Sequence, residues 1–238
     1  MIKELKQDKL VCKIYKTREE MGIAAAEEIY NKISELLSCK EEINMIFAAA
    51  PSQNDMLNYL VRDESIEWNR INAFHMDEYI GLGENLKDRS FGTYLTEHIF
   101  GKVPFKSINL INSTATDAEA ECQRYTKILN DNPTDSVVMG IGENGHIAFN
   151  EPADAFVKET HTVELKQSTI EANKRFFDSI DGVHRAAITM GIGTIMKAEP
   201  KYVLLGGIIG AFITWTVIKS VEQLGPAKSA LLIVSSQL

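Results

Sequence analysis

The spacing of apolar positions along the chain changes period near residue 17. LVCKIY, Leu10 to Tyr15, reads as a strand. Beyond it Met21, Ala25, Ile29, Ile33 and Leu37 recur every four residues, which places them on one buried face of a helix. Thr17 with Glu20 spells a capping box at its start. INMIFAAA, Ile43 to Ala50, is apolar almost throughout, as parallel strands covered on both faces tend to be. A helix is expected from about Asn54.

The alternation continues with strand INAF near residue 72, a helix from Gly92 to about Phe100, strand SINLI near 109 and a helix from about Asp117 to Leu129. Strands SVVMGI (Ser136 to Ile141), AAITMG near 188, KYVLLG near 203 and a last SALLIV complete the pattern, with an irregular stretch up to Asp154. Strands alternating with helices predict right-handed βαβ units and a mostly parallel sheet flanked by helices. No repeat or linker-like run divides the chain, so one domain over residues 1–238 is expected.

Composition narrows the function classes. Of 238 residues 33 are acidic and 25 basic, giving a formal charge of −8, and no basic run exceeds two residues. A nucleic-acid partner, which needs a basic stripe, is therefore not expected. Cys12, Cys39 and Cys122 are odd in number and widely spaced, no CxxC or HExxH occurs, and the N-terminal stretch lacks a signal-like apolar core. A cytoplasmic protein without the common zinc spacings is the expectation. One segment, Tyr202 to Ile218, is uncharged and lies between Lys201 and Lys219. It is slightly short of the ~20 residues a bilayer span needs, and a buried strand, a glycine turn and the start of a helix explain it better, so no membrane is expected.

In open α/β sheets chemistry collects at the carboxyl ends of the strands, and three such ends carry candidate residues. In IFAAAPSQNDML an apolar strand runs through Ser52 and Gln53 into a helix, whose free N–H groups suit a phosphate; the alternative is that Ser52 caps the helix. In INAFHMDEYIGL, Asp77 and Glu78 are adjacent, so on an extended segment one at most faces a cleft, where a carboxylate could act as a general base. The alternative there is a turn acid held by backbone N–H groups. In SVVMGIGENGHIAFNEPADAF, Gly140, Gly142 and Gly145 spell GxGxxG, with Glu164 roughly 20 residues on. Phe149, Asn150, Glu151 and Pro152 leave no room for the helix a dinucleotide fold requires there. What remains is a glycine turn presenting His146, with Glu151 five residues later to orient and charge-stabilise its ring. A phosphate cradle, a carboxylate base and a histidine acid/base suggest proton transfer on a small phosphorylated metabolite. No activated nucleophile is recognisable.

The same residues resemble the glucosamine-6-phosphate deaminase/isomerase family, related to the 6-phosphogluconolactonases. The likeness rests on FHMDEYIGL (Phe74 to Leu82), GIGENGHIAFNEP (Gly140 to Pro152), ANKRFFD (Ala172 to Asp178) and AITMGIGTIMKAEPKYVLLG (Ala187 to Gly206), in the family's order. It implies a Rossmann-like three-layer α/β sandwich and conversion of an amino-sugar 6-phosphate to a ketose 6-phosphate with release of ammonia. Asp77 then matches the base that moves a proton between C2 and C1, His146 the residue that opens the pyranose ring, and Glu151 its carboxylate partner. Ser52 and Gln53 lie in the phosphate loop, Gly145 belongs to the substrate-binding turn, and Arg175 matches an arginine that grips the phosphate.

Three departures accompany the resemblance. Asn144 stands where the family has an aspartate, so the imidazolium loses a charged partner at this catalytic position. The phosphate loop reads AAAPSQN, without the family's glycine. GIIGAF follows the last motif, placing Gly210 where a phosphate-binding lysine is usual. The chain ends at Leu238, short of the region tied to allosteric activation in longer relatives, so no such regulation is expected. The substrate is expected to be glucosamine 6-phosphate or galactosamine 6-phosphate. A non-catalytic sugar-phosphate sensor and a lactonase-like hydrolase are the alternatives, and a homo-oligomer is compatible with the sequence.

Overall fold

The computed structural model describes residues 1–7, 10–142, 145–151, 153–174, 177–198, 200–205 and 231–236. Its main sheet has eight strands in the order β1-β2-β11-β10-β7-β3-β4-β6. These are β1 (Lys3–Gln7), β2 (Leu10–Tyr15), β3 (Ile43–Phe47), β4 (Ile71–His75), β6 (Ser107–Asn109), β7 (Ser136–Met139), β10 (Lys201–Leu205) and β11 (Leu231–Ser236). Every pairing is parallel except the edge hairpin β1–β2.

Helix α1 (Arg18–Cys39) buries the residues its four-residue spacing marks: Met21, Ala25, Ile29, Ile33 and Leu37. Its start is fixed by Thr17, whose hydroxyl accepts the Glu20 N–H at 3.1 Å, while the Glu20 carboxylate reaches the Lys16 N–H at 3.2 Å. With α2 (Asn54–Leu60), α1 covers one face of the sheet together with Phe47, Trp68 and Phe100. Helix α4 (Ala118–Asp131), capped by Asp117, contributes Cys122, Tyr125 and Leu129 to a second core with Ile46, Phe74, Val137 and Val203. The helix expected from Gly92 to Phe100 is α3 (Phe91–Leu95) continued by a wider turn over Thr96–Phe100.

The sequence pattern alone does not anticipate a second sheet. β5 (Asp77–Tyr79), β8 (His161–Glu164) and β9 (Ala186–Thr189) form an antiparallel sheet in the order β5-β9-β8. The AAIT strand therefore belongs not to the parallel sheet but to a smaller layer over its carboxyl edge. Between this layer and α5 (Gln167–Asn173) lies a third core of Tyr79, Leu82, Phe149, Leu165, Ile170 and Val183.

From β3 the chain moves outward one way through β4 and β6, and from β7 the other way through β10 and β11. The order reverses between β3 and β7, and ligands in open α/β sheets bind in the crevice at such a reversal. Ser52 follows β3, and the glycine turn follows β7.

Candidate active site

At the reversal the two strand ends touch. A side-chain carbon built on Gly140 would lie 3.9 Å from Ala50 Cβ and 4.0 Å from Ser52 Oγ. No side chain caps the short 3-10 turn over Pro51–Gln53 or helix α2, so Ser52 does not serve as a helix cap and its hydroxyl stands beside the glycine turn. Gln53 is fully buried, and among the described residues neither its amide oxygen nor its nitrogen has a hydrogen-bond partner. An unpaired buried amide costs roughly 1–3 kcal/mol, a cost sites carry when a ligand or water completes the bonding.

The turn after β7 is tightly wound. Gly142 N–H donates to His146 C=O at 2.8 Å, and Gly145 N–H to Gly142 C=O at 2.9 Å, with Gly145 at φ +89°. A side-chain carbon on Gly142 would overlap Cε1, Nε2 and Nδ1 of His146, so the imidazole lies directly against this glycine. The requirement at Gly142 is space for the ring, and at Gly145 a left-handed backbone. Ile147 and Asn150 then close a second turn by exchanging backbone bonds of 3.2 and 3.0 Å, which puts Ala148 at φ +50°. Glu151 follows, its Oε1 accepting the Thr169 hydroxyl of α5 at 2.6 Å. His146 and Glu151 thus flank one closed turn. Asn144 and Arg175 lie outside the described residues, as does Gly210 with the rest of the apolar segment beyond Leu205.

Asp77 and Glu78 are both buried on β5, with opposite surroundings. Glu78 accepts from its own neighbour Tyr79 N–H (2.9 Å), Ser90 Oγ (3.0 Å), Phe91 N–H (3.1 Å) and Gly92 N–H (2.9 Å). Among the described residues nothing hydrogen-bonds to the Asp77 carboxylate. Burial, reinforced by the charge of Glu78, pushes the Asp77 carboxyl up to about 8. Burial also raises Glu78, against the pull of its four donors. Nearby His75 is fully buried and pushed down to about 3 by burial, so it is neutral. Its Nδ1 receives the Ile111 N–H at 3.4 Å, and its Nε2 stands 3.8 Å from Glu78. A carboxyl with so high a proton affinity, set at the carboxyl edge near a histidine turn, has the properties of a general base working close to neutral pH. No cluster of metal-binding side chains occurs among the described residues.

The site also depends on residues that pattern reasoning passes over. Thr169 and Thr189 are buried hydroxyls that hold the histidine turn, and Asn150 is a buried amide at its closing position. Their side chains look ordinary in sequence, and only the fold brings their partners close.

Residues 16–208 match a family model described as "Glucosamine-6-phosphate isomerases/6-phosphogluconolactonase". Residues 185–238 match a second, described as "Putative inner membrane exporter, YdcZ". A glucosamine-6-phosphate deaminase of Streptococcus suis is 47% identical over 140 residues, which is 59% of this chain and 59% of that one. The Streptococcus agalactiae deaminase is 42% identical over 155 residues, or 65% and 66% of the two chains. The chain thus spans about 59% of the length of the first of these curated relatives. Among solved structures, a monomeric glucosamine-6-phosphate deaminase superposes with a TM-score of 0.80 at 28% identity, over 94% of this chain and 96% of that one. A 6-phosphogluconolactonase from Thermotoga maritima reaches 0.75 at 16% identity, over 96% and 100%, which speaks for the fold alone.

Proposed function

The chain belongs to the family of glucosamine-6-phosphate isomerases and 6-phosphogluconolactonases, and on that premise we propose that it acts on an amino-sugar 6-phosphate, taking up water and releasing ammonia to leave a ketose 6-phosphate. The observation that carries this reading is Asp77, a buried carboxyl whose proton affinity is raised to about 8 at the carboxyl edge of the sheet. Moving a proton from C2 to C1 needs one group that takes it from one carbon and gives it to the next, and such a group works best when its proton affinity lies near the working pH. Closed by its glycines, the turn offers His146 to the ring oxygen for opening the sugar, with Glu151 orienting the ring.

Ser52 and Gln53 hold the phosphate in this reading. The unpaired Gln53 amide supplies one donor that a phosphate oxygen would satisfy. Arg175 supplies the charge, by its place in the ANKRFFD motif. The reaction needs neither metal nor organic cofactor, because the C1 aldehyde freed by ring opening, next to the C2 ammonium, acidifies the C2 proton by itself, and the imine left at C2 once the proton has moved to C1 takes up water and releases ammonia. Free thiols at Cys12, Cys39 and Cys122 support a cytoplasmic setting for the chemistry.

The second family match bears on one departure. Residues 185–208 lie in both matched spans, and beyond residue 208 only the exporter-like one continues. We therefore read Gly210 as part of a different kind of sequence, not as a substitute for the family's lysine. The proposed chemistry rests on residues up to Leu205, and phosphate affinity is expected to be weaker than a lysine-bearing site would give. Among the described residues no helix is long and apolar enough to cross a membrane.

The test is ammonia release by the purified chain from glucosamine 6-phosphate and, separately, galactosamine 6-phosphate. Turnover of either supports the reading and identifies the epimer. Absence of turnover with both, alongside hydrolysis of a 6-phosphosugar lactone, would replace it.

A further inference from the structure

The strand that carries Asp77 and the turn that carries His146 and Glu151 are separate pieces of chain, and Thr189 on β9 bonds to both. On β9, Thr189 pairs with Asp77 in the antiparallel register, and the next residue, Met190, donates its N–H to Met76 C=O at 2.9 Å. The Thr189 side chain is fully buried, and its Oγ1 accepts the Phe149 N–H at 3.1 Å and Asn150 Nδ2 at 3.3 Å. Asn150 Nδ2 also reaches Met190 C=O at 2.7 Å and Ile147 C=O at 3.0 Å.

This turn needs holding. Ala148 sits in the left-handed region at φ +50°, a conformation that costs a non-glycine residue of order 1–3 kcal/mol and persists only where surrounding contacts enforce it. Phe149 is anchored by its ring against Tyr79 (5.6 Å) and Phe91 (5.7 Å), which keeps the turn attached. Ring packing is weakly directional, however, and does not set the position of His146, three residues earlier, relative to β5. The hydrogen bonds to Thr189 and Met190 are directional and tie the turn to β9 in one register, while Thr169 holds its far end through Glu151.

We propose that Thr189 is a positioning residue, which, together with Asn150, locks the turn bearing His146 and Glu151 to the strand bearing Asp77. Thr189 touches no reacting atom. It acts by fixing the separation of base and acid, and its consequence for turnover rests on the reaction proposed above. Misplacing a catalytic group by about 1 Å costs on the order of a hundredfold in rate, so the lock should be visible in kcat more than in KM.

The experiment compares the full chain with Thr189→Val, which keeps the shape and removes the acceptor, and Thr189→Ser, which restores the hydroxyl. Amide hydrogen exchange at Phe149 is expected to speed up about tenfold or more in Thr189→Val and to stay within about twofold in Thr189→Ser, because only the former breaks the bond it reports. For ammonia release, kcat is expected to fall about 10- to 100-fold in Thr189→Val with KM within about threefold, and to recover in Thr189→Ser. If Thr189→Val does not fold, Asn150→Ala removes the bonds to Ile147, Thr189 and Met190 and so loosens the turn that presents the Phe149 N–H to Thr189; faster Phe149 exchange and a lower kcat at similar KM are expected there too. Unchanged Phe149 exchange in the folded variant overturns the lock, whether or not the protein turns over its substrate. Accelerated exchange with unchanged kcat in an active protein overturns the positioning role. A wild-type protein without turnover but with the expected exchange pattern leaves the lock standing and removes the proposed reaction instead.

Discussion

The two faces of β5 treat neighbouring carboxylates in opposite ways. Glu78, on one face, is saturated: three of its four donors come from the Ser90–Gly92 turn, and they tie β5 to the start of α3. Asp77, on the other face, is also buried but has no donor among the described residues, and its proton affinity rises to about 8. Residue type and burial are nearly equal, so the difference lies in what surrounds each oxygen. A carboxylate given donors becomes a brace. One denied them, beside a second charge, becomes a base.

The sharpest break of this comparison is Asp77→Asn. Removing the proton acceptor should lower kcat for ammonia release by roughly 10²–10⁴-fold while KM moves little, because the lost interaction belongs to the transition state. Steady-state kinetics on either amino-sugar phosphate checks it. Glu78→Gln should do the reverse. An amide offers one acceptor oxygen to four donors, so urea titration should show a loss of roughly 2–3 kcal/mol. The residual activity should reach half its plateau at lower pH than wild type, since the charge that helps raise Asp77 is gone.

A third effect follows from linkage. The proton affinity of Asp77 is higher in the folded chain than the ordinary carboxylate value of 3.8. Between about pH 4 and pH 8 the folded state therefore holds more protons than the unfolded one, and stability falls as pH rises through that window. Asp77→Asn removes the titration, so its thermal midpoint should exceed that of wild type at pH about 9 and match it at pH about 4. Each tenfold rise in proton affinity on folding corresponds to at most about 1.4 kcal/mol. The smallest effect is expected from Ser90→Ala. It removes one donor to Glu78 and the acceptor for Thr93 N–H, and should cost about 1 kcal/mol of stability with the pH dependence of turnover unmoved.

Much of the frame is legible in the sequence, and the reason is periodicity. β2, β3, β4 and β7 are mostly apolar segments, and the four-residue rhythm of α1 marks five residues that are all buried. β5 and β8 are not legible. β5 has three residues, two of them acids, and β8, HTVE, is half-buried at best, so neither gives an apolar signal. The antiparallel layer they form with β9 depends on pairings between residues about 110 and 25 positions apart in sequence.

The site divides in the same way. His146, Glu151 and the Asp77–Glu78 pair stand out because titratable residues at strand ends can be found by inspection, while the choice of Asp77 within the pair rests on the family resemblance. An acid held by backbone N–H groups is one of the two readings this pair allows, but its assignment to Glu78 is not legible, because three of its four donors lie 12 to 14 residues along the chain. Thr189 and Asn150 look like any small polar residues until the fold sets their side chains 3.3 Å apart. Gly142 illustrates the middle case: the motif marks it as a glycine needed for a turn, whereas the structure shows that the space belongs to the His146 ring.

The most direct test of the account is the pH dependence of kcat/KM for ammonia release, measured from about pH 5 to pH 10 on the wild-type protein and on Glu78→Gln. The expected result is an acid limb in wild type with its midpoint near 8, set by Asp77 losing its proton, and a midpoint displaced to lower pH in the variant. A limb near pH 4, or one at the same pH in both proteins, would contradict the claim that burial beside Glu78 makes Asp77 the base.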